Sequence, residues 1–274
     1  MRFFQINLKF NPIDPWSEIL IAFLSELNFD SFEETEIGLK AFIDENQFSE
    51  DAFQKVLSRI ELDVEYEIQS LKNENWNSKW ESSFEPVIID DQCGVRASFH
   101  PSLNVKHEIV ITPKMSFGTG HHSTTYGMMK KMLDLNFNGK KVLDMGCGTA
   151  VLAILASKLG ANKVLAIDID EWAFKNSIEN IKINELDNIK IIQGGSSLIK
   201  ETYDIILANI NRNVLLNDMA KYSRALGDNG NLLLSGFYQE DLPLITNKCK
   251  QFGLEYKNNT HHNNWVTAHF QKKL

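Results

Sequence analysis

The stretch Val142-Leu143-Asp144-Met145-Gly146-Cys147-Gly148-Thr149-Ala150 constrains this chain more than any other, because an apolar strand runs into a glycine turn and straight on into the helix VLAILASKLG. Glycines at that junction let the backbone turn sharply and approach a ligand closely. From Lys140 onward the same alternation continues: KVLDM, KVLAIDID, a helix from Glu171 to Asn184, IKIIQ, YDIILANI, a helix from Val214 to Leu226, and NLLLSGF. A helix from about Asp241 to Phe252 and strands near Leu254 to Lys257 and at 265–273 close the chain. This rhythm predicts an α/β domain with a doubly wound, Rossmann-like and mostly parallel sheet.

The N-terminal part has a different texture. Phe3 to Phe10 alternates as a strand, and Pro15-Trp16-Ser17 opens an amphipathic helix with Trp16, Ile19, Leu20, Phe23, Leu24 and Leu27 at helical spacing. Phe29 to Asp44 reads as two short strands, Ser49-Glu50-Asp51 starts a second helix running to about Arg59, and Val64 to Leu71 reads as a further strand. The order β-α-β-β-α-β predicts a smaller α+β, ferredoxin-like module. In ENWNSKWESSFEPV, Trp76, Trp80 and Phe84 fall at i, i+4 and i+8, the apolar stripe of a connector helix. The expected division is a first domain over 1–72, a linker helix and strand over 73–100, and the catalytic domain over 101–274.

A length of 274 residues accommodates two such domains. The net charge of -8 works against binding a bare phosphate backbone and favours a basic partner, so direct nucleic-acid binding is not expected. Cys93, Cys147 and Cys249 are scattered, odd in number and without a C-x-x-C pair, which suits reduced thiols better than a disulfide framework or a zinc site. No stretch approaches eighteen uninterrupted apolar residues, and the N-terminus has no long apolar signal region. A soluble, cytoplasmic, membrane-free monomer is the expectation.

A glycine turn after a strand is common, so its surroundings decide what it holds. Asp168 ends the next strand, 22 residues after Gly146, where a carboxylate accepts hydrogen bonds from both ribose hydroxyls of a nucleoside cofactor. The alternative reading makes it a helix N-cap shared with Asp170. Both NAD(P) and S-adenosylmethionine fit this pattern. The dinucleotide fingerprint, however, wants a third glycine three residues after the second, and Val151 stands there. Asp144, just before the turn, would repel a pyrophosphate but can position the glycine loop and the amino-acid end of a methyl donor. S-adenosylmethionine is therefore the favoured cofactor, with Gly146, Gly148, Asp144 and Asp168 at its site.

Asn209 ends the strand Tyr203 to Ile210 at the carboxyl edge of the sheet, where open α/β sheets bind ligands, and can offer an amide oxygen to position an incoming amine. The text continues Ile210-Asn211-Arg212, not as the Asn-Pro-Pro-aromatic clamp of enzymes that act on planar amides or bases. Upstream of the sheet, Ser116-Phe117-Gly118-Thr119-Gly120-His121-His122-Ser123-Thr124-Thr125 leads into a helix beginning near Thr124, and a loop of this kind can fold over a cofactor. Adjacent histidines rarely share one ion and no ligand cluster joins them at recognisable spacing, so no metal is expected.

In this order and spacing, SFGTGHHSTT, VLDMGCGTAVLAILASKLGA, IDID and ILANI resemble the methyltransferases that modify ribosomal protein eleven of the large subunit, and ENWNSKWESSFEPV is similar to that family's linker. The resemblance implies that Thr125, Gly146, Asp168 and Asn209 contact S-adenosylmethionine. It also implies that Phe117, Gly118, Thr119 and Gly120 cover its methionine end, and that the N-terminal domain binds the ribosomal protein, whose lysine ε-amines and N-terminal α-amine are methylated. The chain departs from the family pattern at His121 (usually threonine), Ser123 (usually proline), Ala150 (usually glycine) and Asn211-Arg212-Asn213 (usually small residues), and its last strand lacks a Trp-Cys pair. Alanine at 150 is unstrained if its φ is negative. Two rival readings are a methyltransferase acting on a small molecule or RNA base, and a binding module that keeps the pocket without turnover.

Overall fold

The computed structural model describes residues 3–60, 62–71, 84–114 and 117–273. Trp76 and Trp80 of the expected connector helix lie outside the described residues. The chain divides into two compact units, Met1–Phe84 and Glu85–Leu274.

The first unit runs β1 (Phe3–Lys9), α1 (Trp16–Ser25), β2 (Ser31–Thr35), β3 (Gly38–Asp44), α2 (Glu50–Leu57) and β4 (Glu65–Leu71). Its strands form one antiparallel sheet in the order β2-β3-β1-β4. The two-residue period of β1 buries Ile6 and Leu8, and the register sets Ile6 opposite Ala41 and Leu8 opposite Leu39. These residues share one core with Leu20 and Leu24 of α1 and Phe53 of α2, so both helices cover the same face. The hydroxyl of Ser49 accepts from the Ala52 N–H and caps α2 where the sequence places its start.

The second unit opens with a small sheet, β5 (Val87–Ile89), β6 (Cys93–Ala97) and β7 (His107–Ile111), antiparallel between β5 and β6 and parallel between β6 and β7. Residues 85–97 thus belong to the second unit's structure, and β7 was not foreseen. α3 (Ser123–Leu133) then leads into β8 (Lys141–Met145), α4 (Val151–Lys158), β9 (Lys163–Asp168), α5 (Glu171–Ile183) and β10 (Ile189–Gln193). After these come β11 (Tyr203–Asn209), α6 (Arg212–Ala225), β12 (Leu226–Tyr238), α7 (Leu242–Gln251), β13 (Leu254–His262) and β14 (Trp265–Lys272).

The large sheet has the order β10-β9-β8-β11-β12-β14-β13. Its first five strands are parallel, and β14 is antiparallel to both of its neighbours. β8 and β11 are buried almost throughout, which is why they read as continuous apolar runs instead of alternating ones. Helix α3 lies so close to β14 that a Cβ on Gly127 would come within 2.5 Å of the Thr267 hydroxyl. Strand order reverses between β8 and β11, and open sheets of this kind bind ligands at the carboxyl ends of the strands on either side of such a reversal.

Candidate active site

The β8–α4 junction is a tight, glycine-dependent turn. Gly146 and Gly148 have φ of +74° and +55°, and the Gly146 and Cys147 N–H groups donate to the Ile167 carbonyl at 2.8 and 3.1 Å. A Cβ on Gly146 would meet Ile210 Cγ2 at 2.2 Å, and one on Gly148 would meet the Phe117 carbonyl oxygen at 2.2 Å. The closest neighbour of Gly148 is therefore the loop predicted to fold over the site. Thr149 fastens that loop: its N–H donates to Phe117 O (3.0 Å) and its hydroxyl to Gly118 O (2.6 Å).

Ala150 has φ +64° and ψ +19°, a left-handed conformation, so the sequence-based condition of a negative φ is not met. Continuing the turn into α4 requires this geometry, and alanine holds it at the expense of a close Cβ–carbonyl contact. A glycine here, as the resemblance implies for the family, would hold the same geometry without strain.

Two carboxylates flank the turn. Asp168, at the end of β9 and only 9% exposed, accepts from the Gly148 N–H (2.8 Å) and the Asp170 N–H (3.0 Å). Asp170 caps α5 by itself, accepting from the Trp172 and Ala173 N–H groups, so Asp168 is not spent as a helix cap. Asp144 is fully buried; its Oδ2 accepts from the Ala153 N–H at 3.0 Å and its Oδ1 has no protein partner. Burial pushes the Asp144 carboxyl up to about 7, the Ala153 N–H opposing the shift and the nearby Asp168 charge adding to it.

The other side of the reversal presents Asn209, 9% exposed, whose Nδ2 donates to the Thr125 hydroxyl at 3.3 Å while Oδ1 has no partner. β12 passes alongside through Ser235 and Gly236. Gly236 has φ +94°, and a Cβ there would meet the Ile210 carbonyl oxygen at 2.2 Å, so glycine lets the strand bulge past the Asn209–Ile210 turn. Beyond the bulge, Tyr238 pairs with Trp265 in register, and their ring centroids lie 4.1 Å apart. His122 packs 5.0 Å from Trp265, and Phe117 lies 5.0 Å from His122. The result is a continuous row of rings meeting tilted or edge-on.

The histidine pair has separate duties. His121 bridges Thr119 Oγ1 (3.1 Å) and the Glu85 carbonyl (2.8 Å), pinning the loop, whereas His122 caps α3 by accepting from the Thr124 N–H. Gly118 and Gly120 supply the positive φ values, +103° and +93°, that let this loop reverse between them. Among the described residues no group of three or more His, Cys, Asp or Glu is placed to hold a metal ion, and no helix is long and apolar enough to cross a membrane. All three cysteines are free and buried.

Several contributors escaped sequence reading. Asn176 and Asn180 on α5 and Asn184 at its C-cap stand at i, i+4 and i+8 and act as a surrogate strand for the edge of β7. Asn184 exchanges bonds with Val110 N and O (3.0 and 2.6 Å), Asn180 accepts from Thr112 N (2.8 Å), and Asn176 donates to Thr112 O (3.2 Å). Asn180 also donates to Thr149 O at 2.9 Å, joining this edge to the glycine turn. The four-residue spacing of a small amide was the available signal. Gly236 and Trp265 had none beyond their residue type.

Residues 22–273 match the family described as Ribosomal protein L11 methyltransferase (PrmA). The ribosomal protein L11 methyltransferase of Phocaeicola vulgatus is 38% identical over the whole of both chains, and that of Porphyromonas gingivalis is 44% identical over 92% of this chain and 90% of its own. A solved ribosomal protein L11 methylase from Lactobacillus delbrueckii subsp. bulgaricus shares the fold with a TM-score of 0.65 at 24% identity, covering 70% of this chain and 100% of its own. A methyltransferase from Pyrococcus furiosus shares it with a TM-score of 0.53 at 21% identity, over 61% of this chain and 90% of its own. The match across nearly the full chain, together with the glycine turn and its paired acids, makes this chain a member of the ribosomal protein L11 methyltransferase family.

Proposed function

We propose that this methyltransferase transfers methyl groups from S-adenosylmethionine to amines of large-subunit ribosomal protein L11, the lysine ε-amines and the N-terminal α-amine. The observation that carries the reading is the set of buried polar groups on either side of the strand reversal: Asp168 beside Asp144 on one side and Asn209 on the other, with Asp144 Oδ1 and Asn209 Oδ1 lacking a protein partner. A buried acceptor without a partner carries a desolvation penalty that a bound ligand relieves. The donor set fits a nucleoside joined to an amino acid: Asp168 retains lone pairs for ribose hydroxyls, and Gly146 and Gly148 keep the turn free of side chains. Asp144 holds the turn from beneath, Thr125 orients Asn209, and Phe117, Gly118, Thr119 and Gly120 cover the methionine end.

S-adenosylmethionine supplies, when bound, a methyl group already activated on a sulfonium. The chain's own residues then have to align the acceptor and keep water away, and no covalent side-chain chemistry is called for. A lysine amine, ordinarily protonated up to a pKa of about 10.4, must shed its proton to solvent before attack. The apolar edge formed by Ile210 and the rings of Phe117, Trp265 and Tyr238 disfavours the charged ammonium. Asn209 Oδ1 then accepts an N–H of the neutral amine and directs its lone pair. The ferredoxin-like N-terminal module is assigned to capture of the ribosomal protein, and the chain's net charge of -8 suits a basic partner.

The test is mass spectrometry of purified ribosomal protein L11 after incubation with this chain and S-adenosylmethionine, beside a Gly146→Asp control. Mass gains in single-methyl steps that vanish in the control are expected. Measurable cofactor binding with no gain on the protein would turn the assignment towards a small-molecule or RNA acceptor.

A further inference from the structure

Two residues, Ile210 and Asn211, separate Asn209 from Arg212, the first residue of α6. The Arg212 guanidinium crosses to the next strand end: Nη1 donates to Asp241 Oδ1 at 2.6 Å. Asp241 is mostly enclosed, its side chain 12% exposed, and its other oxygen accepts from the Tyr238 N–H at 3.4 Å. Tyr238 in turn packs tilted against Trp265 with centroids 4.1 Å apart, and Trp265 meets His122 edge-to-face at 5.0 Å. One ionic contact therefore ties the turn after Asn209 to the row of rings, through two oxygens of a single carboxylate.

The contact adds an ionic tie between elements that share one core beneath it, α6 through Leu215 and Met219 and β12 through Phe237. Beyond the bulge at Ser235–Gly236, β12 leaves its partner β11, whose register with it ends at the Asn209–Ser235 pair. Tyr238 lies three residues further on, roughly 10 Å along the strand at 3.3 Å per residue. There Tyr238 is held by its pairing with Trp265 on β14 and not by β11, and the Arg212–Asp241 pair ties this strand end to the start of α6. The Arg212 side chain is 45% exposed but its carboxylate partner is largely enclosed, which places this charge-assisted bond above freely exposed pairs.

We infer that Arg212 and Asp241 form a latch that positions the Tyr238–Trp265 face against Asn209 and so sets how the acceptor amine is held. Both are positioning residues: they act through the rings and touch neither reacting atom. The latch presents these rings as an apolar wall to the neutral acceptor amine. It leaves the Gly146–Asp168 half of the site untouched. This inference rests on the acceptor side assigned under Proposed function.

Two readouts on Arg212→Met, with Arg212→Lys as the conservative rescue and Asp241→Asn as the reciprocal change, test the latch in the full chain. The first is the fluorescence of Trp265 without any ligand, taken as the difference from the same protein carrying Trp265→Phe. Arg212→Met and Asp241→Asn should shift it alike, and Arg212→Lys should restore it. The second is steady-state methylation of ribosomal protein L11, where KM for the protein should rise about tenfold with S-adenosylmethionine affinity unchanged by calorimetry. Unchanged Trp265 fluorescence in Arg212→Met would overturn the latch, and so would a shifted signal with unaltered KM, or an equal loss of cofactor affinity. If the unsubstituted chain binds S-adenosylmethionine but methylates no ribosomal protein, the Proposed function itself fails and the latch's acceptor role falls with it, whatever the fluorescence shows.

Discussion

The two halves of the carboxyl edge are held together by different means. On the β8–β9 side, Gly146, Gly148, Asp144 and Asp168 are fixed by backbone hydrogen bonds to neighbours on the turn, on α4 or on β9. On the β11–β12 side, Asn209, Gly236, Tyr238, Trp265 and His122 are fixed by contacts between segments far apart in the chain, such as Asn209 with Thr125 and His122 with Trp265. The first half is fixed mainly within a short motif, with one long-range fastening from the turn to the Phe117–Gly118 loop. The second exists only once β12, β14 and α3 have come together.

The sharpest way to break this contrast is to load both halves with the same small change. Gly148→Ala and Gly236→Ala each place a Cβ 2.2 Å from a backbone carbonyl oxygen at a positive φ. Left-handed strain and overpacking together should cost each variant about 4 kcal/mol. Equal losses in urea unfolding would show that both halves are equally rigid. A mild Gly236→Ala would leave only the local half strictly specified.

A second comparison uses pH. The Asp144 carboxyl lies near 7 in the fold, above its ordinary value of 3.8, so the native state holds a proton that the unfolded chain has released between those two values. Stability from this group is therefore full below about pH 4 and is lost as pH rises towards 7. Between pH 5 and pH 8 the loss should reach roughly 3 kcal/mol, and Asp144→Asn should remove it. Urea titrations at the two pH values measure this directly. Parallel changes in the two proteins would mean that Asp144 is not the buried titrating group.

Asp168→Ala sharpens the functional side of the local half. Removing a carboxylate that would hold ribose hydroxyls should weaken S-adenosylmethionine by about 1.5–3 kcal/mol per bond lost. Calorimetric affinity indistinguishable from the unsubstituted chain would take Asp168 out of the site.

How much of this was readable in the sequence follows the same division. The strand–glycine–helix text, the acid ending β9 and the polar residue ending β11 were legible because each depends on neighbours in the chain, and the parallel sheet followed from its alternation of apolar runs. β7 was missed because a five-residue strand whose outer edge is satisfied by asparagine side chains on α5 carries no pairing signal of its own. The Tyr238–Trp265 pair was invisible because register across an antiparallel junction is settled by tertiary packing. At Ala150 the position was legible but its dihedral was not.

Ala150→Gly addresses that last residue and should have the smallest effect. Relief of left-handed strain is worth about 1–2 kcal/mol to the folded state. Against it stand the extra freedom glycine gains when unfolded, about 0.4–1 kcal/mol, and the loss of a fully buried methyl group, up to about 0.8 kcal/mol. The terms nearly cancel, so unfolding free energy should stay within about 0.5 kcal/mol of the parent. At a negative φ there would be no strain to relieve, and the remaining two terms would add to a destabilisation of about 1.5 kcal/mol. One urea curve thus separates a left-handed Ala150 from the relaxed helix start that a negative φ would have allowed, and near-neutrality explains how alanine is kept at a left-handed position.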